Sequence, residues 1–241
     1  MNGGQDLTIL AITKMHGGVC TAGIDSNGKW VRPVRRPEEQ RSASTGITDY
    51  SLLPIDFFHE GKSHLANMGV TRFQFSEHIP DPPHVEDWVI AARAKPRLLR
   101  KLSAAEQSEF LAHHSEPSLD NLDPDQTRSL GLYQPKSFSF SFRLNQTGDD
   151  VAVRASFQIG ARTVEDVGCT DLRMRALGRS LLAKSRRMPA ELSDKDFRRR
   201  GKASTYFAVG LSRLYLDKHW IIVVGVHSLP ELDIEIDYAR L

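Results

Sequence analysis

The chain has 241 residues, of which 40% are hydrophobic and 26% charged, enough for two cored domains of about 100 residues and inconsistent with disorder throughout. Only two cysteines, Cys20 and Cys169, are present, which excludes a disulfide framework and a four-cysteine zinc site. The net charge is +2, short of the strongly basic balance of many nucleic-acid binders, and the longest strongly apolar run, Trp220 to Val226, is too short to cross a bilayer.

Asp6 to Lys14 and Val19 to Asp25 read as the first two strands. Ser26-Asn27-Gly28 is a turn signal between the second strand and a third at Trp30 to Val34, because Asn and Gly tolerate positive φ. Residues 36–50 are polar and irregular, and Leu52 to Phe58 fits either helix or strand. Val70 to Ser76 alternates, with Phe73 and Phe75 on one face, and Val85 to Ala91 is a further strand. Pro96 to Leu102 and Ala104 to His113 favour helix, with Ser103 as a cap. Glu116 to Gln126 reads as an exposed acidic loop.

The second half opens with Ser137 to Phe142, strictly alternating Ser and Phe. A hairpin loop at Asn145 to Asp150 leads into Val151 to Ile159, and a third strand follows at Arg162 to Val167. Thr170-Asp171 caps a helix running to about Lys184, with Met174, Leu177 and Leu181 on its apolar face. Residues 185–202 read as a basic loop, before strands at Tyr206 to Leu211 and Trp220 to His227. Three strands, one helix and two strands is the order of a five-stranded OB barrel, a fold whose sheet face and loops commonly bind oligonucleotides or oligosaccharides. The predicted fold class is therefore mainly β, with α+β elements: two OB-like barrels at 1–91 and 131–241, joined by a helical connector with an acidic loop at 92–130.

Charge is segregated. Residues 171–202 hold eleven Lys/Arg against four Asp/Glu, and residues 29–41 hold five against two, so the remainder of the chain is acidic. Such segregation can build a positive face on a nearly neutral protein.

Few chemical motifs survive inspection. Gly23 to Lys29 matches the start of a phosphate-binding loop, but Trp30 stands where a Ser or Thr should hold magnesium, and no helix follows. His59-Glu60-Gly61-Lys62-Ser63-His64 is one residue longer than a zincin motif, and on a helix its histidines would point apart. His113 and His114 are adjacent and diverge. No nucleophile elbow or dinucleotide fingerprint is present, and a lone Cys20 in a strand reads as core. The reading therefore assigns no catalytic residue, no metal and no cofactor, and points away from an enzyme.

The candidates for binding are cations beside aromatic rings, which supply charge for a phosphate backbone and π faces for bases. They are Lys29, Trp30, Arg32 and Arg35 in the first half and Arg213, Tyr215, His219 and Trp220 in the second, with Arg175 and Arg179 as outer phosphate contacts. Each has a plain alternative, namely a core Trp and solvated surface arginines. The Phe138, Phe140 and Phe142 stripe reads as barrel core.

Three segments together resemble the dual OB-containing domain family of bacteria and archaea: Gly23-Ile24-Asp25 through Gly28-Lys29-Trp30-Val31-Arg32-Pro33-Val34, then Thr170-Asp171, then Gly210-Leu211-Ser212-Arg213 through His219-Trp220 to Gly225-Val226-His227-Ser228-Leu229-Pro230. The resemblance implies paired barrels, nucleic-acid binding and a place among prokaryotic genetic-conflict systems, with partner proteins of the same system. It carries over no catalytic residues. The acidic run Asp233 to Asp237 would have to face away from a polyanion. The expectation is a cytoplasmic module for single-stranded RNA or DNA without membrane association. The alternatives are a sensor of a nucleotide-like small molecule, or an enzyme with an unrecognised site.

Overall fold

The computed structural model describes residues 4–15, 18–36, 51–122, 128–186, 188–214, 216–236 and 238. The chain divides into two compact units: Met1–Ser103 with Asp125–Ser129 and Tyr238–Leu241, and Ala104–Pro124 with Leu130–Asp237. Each unit is built on a seven-stranded sheet.

Unit 1 contains β1 (Gln5–Met15), β2 (Gly18–Asp25), β3 (Trp30–Val34), a single-turn helix α1 (Pro54–Phe57), the short hairpin β4 (Phe58–His59) and β5 (Lys62–Ser63), then β6 (Gly69–Phe73), β7 (Phe75–His78), β8 (Asp87–Ile90) and β9 (Arg97–Lys101). The sheet order is β7-β8-β3-β2-β1-β6-β9. Only Gln74 separates β6 from β7, so two strands on opposite flanks are halves of one bent strand, and the sheet curls back on itself. β3 and β8 are parallel, and the other pairings of this sheet are antiparallel. Central β1 is apolar on both faces: Leu7, Ile9, Leu10 and Ile12 are all fully buried. The predicted turn after β2 holds. Asp25 Oδ1 accepts the backbone N–H groups of Asn27 and Lys29, both at 2.9 Å, and Gly28 takes φ +77°. This is a hairpin rather than a helix start, so the phosphate-loop reading fails on geometry as well as on sequence.

Unit 2 contains α2 (Ala104–His114), β10 (Leu130–Tyr133), β11 (Ser137–Leu144), β12 (Val151–Ile159), β13 (Arg162–Cys169), α3 (Leu172–Lys184), β14 (Ala190–Ser193), α4 (Asp194–Arg199), β15 (Ser204–Leu211) and β16 (Ile221–Leu229). Its sheet order is β10-β15-β16-β13-β12-β11-β14, again with one parallel pair, β13 and β16. The Ser/Phe alternation works as expected: Phe138 stands opposite Phe157, Phe140 opposite Ala155 and Phe142 opposite Val153, with the phenyl rings in the core. α3 lies against this face at Gly178, where an added Cβ would come within 2.7 Å of Phe142 and Val151. The Asp171 cap is confirmed. Its Oδ1 accepts from the N–H groups of Arg173 and Met174, while Oδ2 accepts from Val226 of β16 at 2.8 Å.

Three expectations need correction. Residues 97–101 form a strand where helix was expected. Pairing with β6 overrides the local propensity, and half-buried Leu98 stands opposite Thr71. Residues 185–202 include β14 and α4 instead of forming a loop throughout. Leu192 and Phe197 are core residues hidden among the arginines, and Ser193 with Asp196 makes a capping box. The acidic loop at 116–126 is not wholly exposed, since Leu119 and Leu122 join the unit 2 core. Among the described residues, no helix is long and apolar enough to cross a membrane.

Candidate nucleic-acid interface

The four unit 1 candidates divide sharply. Lys29 is exposed at the turn before β3. Trp30 is only 8% exposed, so its indole belongs to the barrel core and has no face to offer a base. Arg32 stands opposite Asp87 across the parallel β3–β8 ladder, and its Nε donates to that buried carboxylate. Burial works against the guanidinium charge, but the Asp87 carboxylate outweighs it and raises the Arg32 pKa. Arg35 is turned inward. Its Nε donates to Asp56 at 3.1 Å, Nη1 to the carbonyls of Ile90 and Ala91 at 3.2 and 3.0 Å, and Nη2 to that of Ala94 at 2.7 Å. It ties α1 to the chain that leaves β8. Trp30, Arg32 and Arg35 therefore hold the barrel together.

In unit 2, Arg175 and Arg179 share one partner. Asp150, in the β11–β12 hairpin loop, pairs with Arg175 Nη2 at 2.5 Å and lies 3.6 Å from Arg179 Nη1. A single carboxylate balances one of these two positive charges, so the pair keeps a net charge beside the hairpin.

The connection between β15 and β16 brings the remaining candidates together. Ser212 organises it: its N–H donates to the Trp220 carbonyl at 2.8 Å, and its Oγ accepts the Trp220 N–H at 2.9 Å. The Ser212 carbonyl accepts from His219 Nδ1 at 2.8 Å, which leaves the lone pair of the neutral ring on Nε2. Arg213 and His219 are half-buried, and Trp220 is 48% exposed. Leu214 and Leu216 are more exposed still, at 62% and 73%. Tyr215 lies outside the described residues. This loop also falls within one of the segments that carry the family resemblance.

A comparison with known protein families matches residues 5–226 to the dual OB-containing domain. The chain belongs to the dual OB-containing domain family. Among curated proteins, none matches it. Two curled, mainly β sheets fit that description, and OB barrels are a common platform for nucleic-acid binding. In this dual OB domain, the Thr170-Asp171 segment has a structural role. Asp171 is fully buried and joins the start of α3 to β16, and Arg173 beside it donates to the Val226 carbonyl at 2.6 Å and to Glu231 at 2.9 Å.

The histidine segment also changes meaning. His59 and His64 are not on a helix. They flank the β4–β5 hairpin with rings stacked 3.7 Å apart, and Glu60 lies close enough for all three to offer atoms to one cation. The hydrogen bonds argue against such a site. His64 Nδ1 accepts the Leu98 N–H at 3.1 Å, so the neutral ring carries its proton on Nε2, the atom that faces Glu60. His59 Nε2 donates to the Pro96 carbonyl at 2.9 Å. The two rings thus fasten the hairpin to the β9 segment. Burial, then the neighbouring His59 and Lys62, hold the His64 pKa below its ordinary value, which keeps the ring neutral. Cys169 is equally inert, because burial pushes its thiol pKa up.

One group of cations escapes the sequence reading. Arg93, Lys95, Arg97, Arg100 and Lys101 are all exposed, on β9 and the chain leading to it. The signal is five cations in nine residues without an acid, obscured because the segment reads locally as helix.

Proposed function

We propose that this dual OB domain is a single-stranded nucleic-acid-binding module, acting in the cytoplasm within a prokaryotic genetic-conflict system and alongside its partner proteins. The observation that carries the reading is the β15–β16 connection, where Arg213, His219 and a 48% exposed Trp220 share one loop. A large indole left outside the core, in one loop with the Arg213 guanidinium, suits stacking on a base while the guanidinium meets a phosphate. Family membership and the OB fold support the same class of ligand.

A nucleotide-sensing pocket has less support. A groove of about 470 Å³ in unit 2 is lined by Leu177, Arg200, Lys202, Leu232 and Ile234 among others, with no aromatic ring in its wall to stack a base.

The test is a titration of labelled single-stranded and duplex DNA and RNA over a salt series. Single strands are expected to bind best, with affinity falling steeply as salt rises. Trp220→Ala is expected to weaken binding by about 1–3 kcal/mol. Unchanged affinity for every nucleic acid in a folded Trp220→Ala protein would overturn the assignment of this loop.

A further inference from the structure

We propose that the outer face of the β6–β9 ladder in unit 1 is a second contact surface, one that takes the phosphate backbone of a single strand. The inference rests on the nucleic-acid reading for its ligand and assigns residues that reading did not use.

The register of the β6–β9 ladder sets which side chains share a face. Arg72 stands directly opposite Arg97, and Val70 opposite Arg100. The ladder then shifts, because Thr71 pairs with Leu98 and leaves Leu99 as an extra residue in β9. A bulge re-aims the side chains that follow it. Without it, Arg97 and Arg100 would fall on opposite faces. With it, both join Arg72 on the outer face, while Leu98 joins fully buried Thr71 on the inner one.

The result is a cluster that the sheet alone does not favour. Like charges directly opposite each other across a ladder are destabilising. Asp6 relieves one side, since its carboxylate takes Arg72 Nε and Nη2 at 2.6 and 2.8 Å. No acid occurs in the sequence from Trp88 to Ala105, so the segment that carries Arg93, Lys95, Arg97, Arg100 and Lys101 has charge of one sign only. A polyanion laid along the outer face meets Arg97 and Arg100, while Lys101, opposite Gly69, lies on the other face. Side chains rather than backbone would make the contact, because the Leu98 N–H and the Pro96 carbonyl are engaged by His64 and His59.

The experiment compares the parent with an Arg97→Gln, Arg100→Gln double variant, using a labelled oligothymidylate and inorganic polyphosphate as probes over a salt series. The double variant is expected to bind oligothymidylate more weakly, with its salt slope shallower by about 1.4, at about 0.7 for each arginine withdrawn from the phosphates. Its melting temperature is expected to hold or rise, since a like-charge opposition is removed. In the parent, bound oligothymidylate is expected to protect Lys95 from acylation. If the parent binds oligothymidylate, but the variant keeps the parental slope and Lys95 is not protected, the β9 surface is overturned and the nucleic-acid reading stands. If the parent binds polyphosphate through these arginines but no nucleic acid, the β9 surface stands as a polyphosphate site and the nucleic-acid reading falls. Binding to neither probe overturns both.

Discussion

Lys29–Arg35 in unit 1 and Ser212–Trp220 in unit 2 use the same residue types near strand ends, yet they face opposite ways. Trp30 is 8% exposed and Trp220 is 48% exposed. Arg32 meets buried Asp87 across the sheet and Arg35 meets half-buried Asp56 of α1, whereas the second segment is a loop folded around Ser212. What differs is the neighbouring strand. β3 is paired on both sides, with β2 and with β8, and β8 supplies Asp87 at the register of Arg32. The β15–β16 connection lies beyond the end of its ladder, which closes at Leu211 and Ile221. An aromatic–arginine segment is buried or left exposed according to whether a strand arrives to cover it.

The largest expected effect breaks that comparison directly. Trp30→Ala is expected to cost about 3–5 kcal/mol of stability, as a buried aromatic does, while Trp220→Ala stays within about 0.5 kcal/mol. Urea unfolding of the two variants checks this, and similar losses in both would erase the contrast. Next comes the acid that makes Arg32 structural. Asp87→Ala is expected to destabilise unit 1 by about 3 kcal/mol, because it strands a guanidinium whose side chain is only 12% exposed. Calorimetry would show the loss, and a melting temperature equal to the parent's would mean that Arg32 finds another partner.

The smallest effect concerns pH. His64 has a folded pKa below its ordinary value, so folding excludes a proton that the unfolded ring takes up. Its contribution is present above the ordinary histidine pKa and is lost as pH falls through the lowered folded value. His64→Gln is therefore expected to show a shallower decline of melting temperature on the acid side than the parent. An identical decline in both proteins would assign the pH response to other groups.

Much of the architecture was legible because alternation is a strong signal. The Ser137–Phe142 stripe and the turn at Ser26–Gly28 each announce their structure through a single physical requirement. Arg97–Lys101 did not, since its strand identity depends on β6, and its one inward side chain, Leu98, is outnumbered by cations. Phe197 was hidden for the same reason, being flanked by arginines although it sits in an aromatic core with Phe138 and Phe140. At the candidate site, the Arg213–Trp220 loop could be read from composition. The inward fate of Trp30 and Arg35 could not, because it depends on partners tens of residues away, such as Asp56 and the carbonyls after β8.

The two oxygens of Asp171 operate on different clocks during synthesis. Oδ1 serves the neighbouring N–H groups of Arg173 and Met174, so α3 can be capped as soon as its first turn leaves the ribosome. Oδ2 must wait for Val226, which lies 55 residues further along the chain. Until β16 is made and docks in parallel beside β13, half of a carboxylate destined for full burial still needs water. A nascent chain stopped short of Val226 would have every strand of unit 2 before β16 and still be unable to close its core.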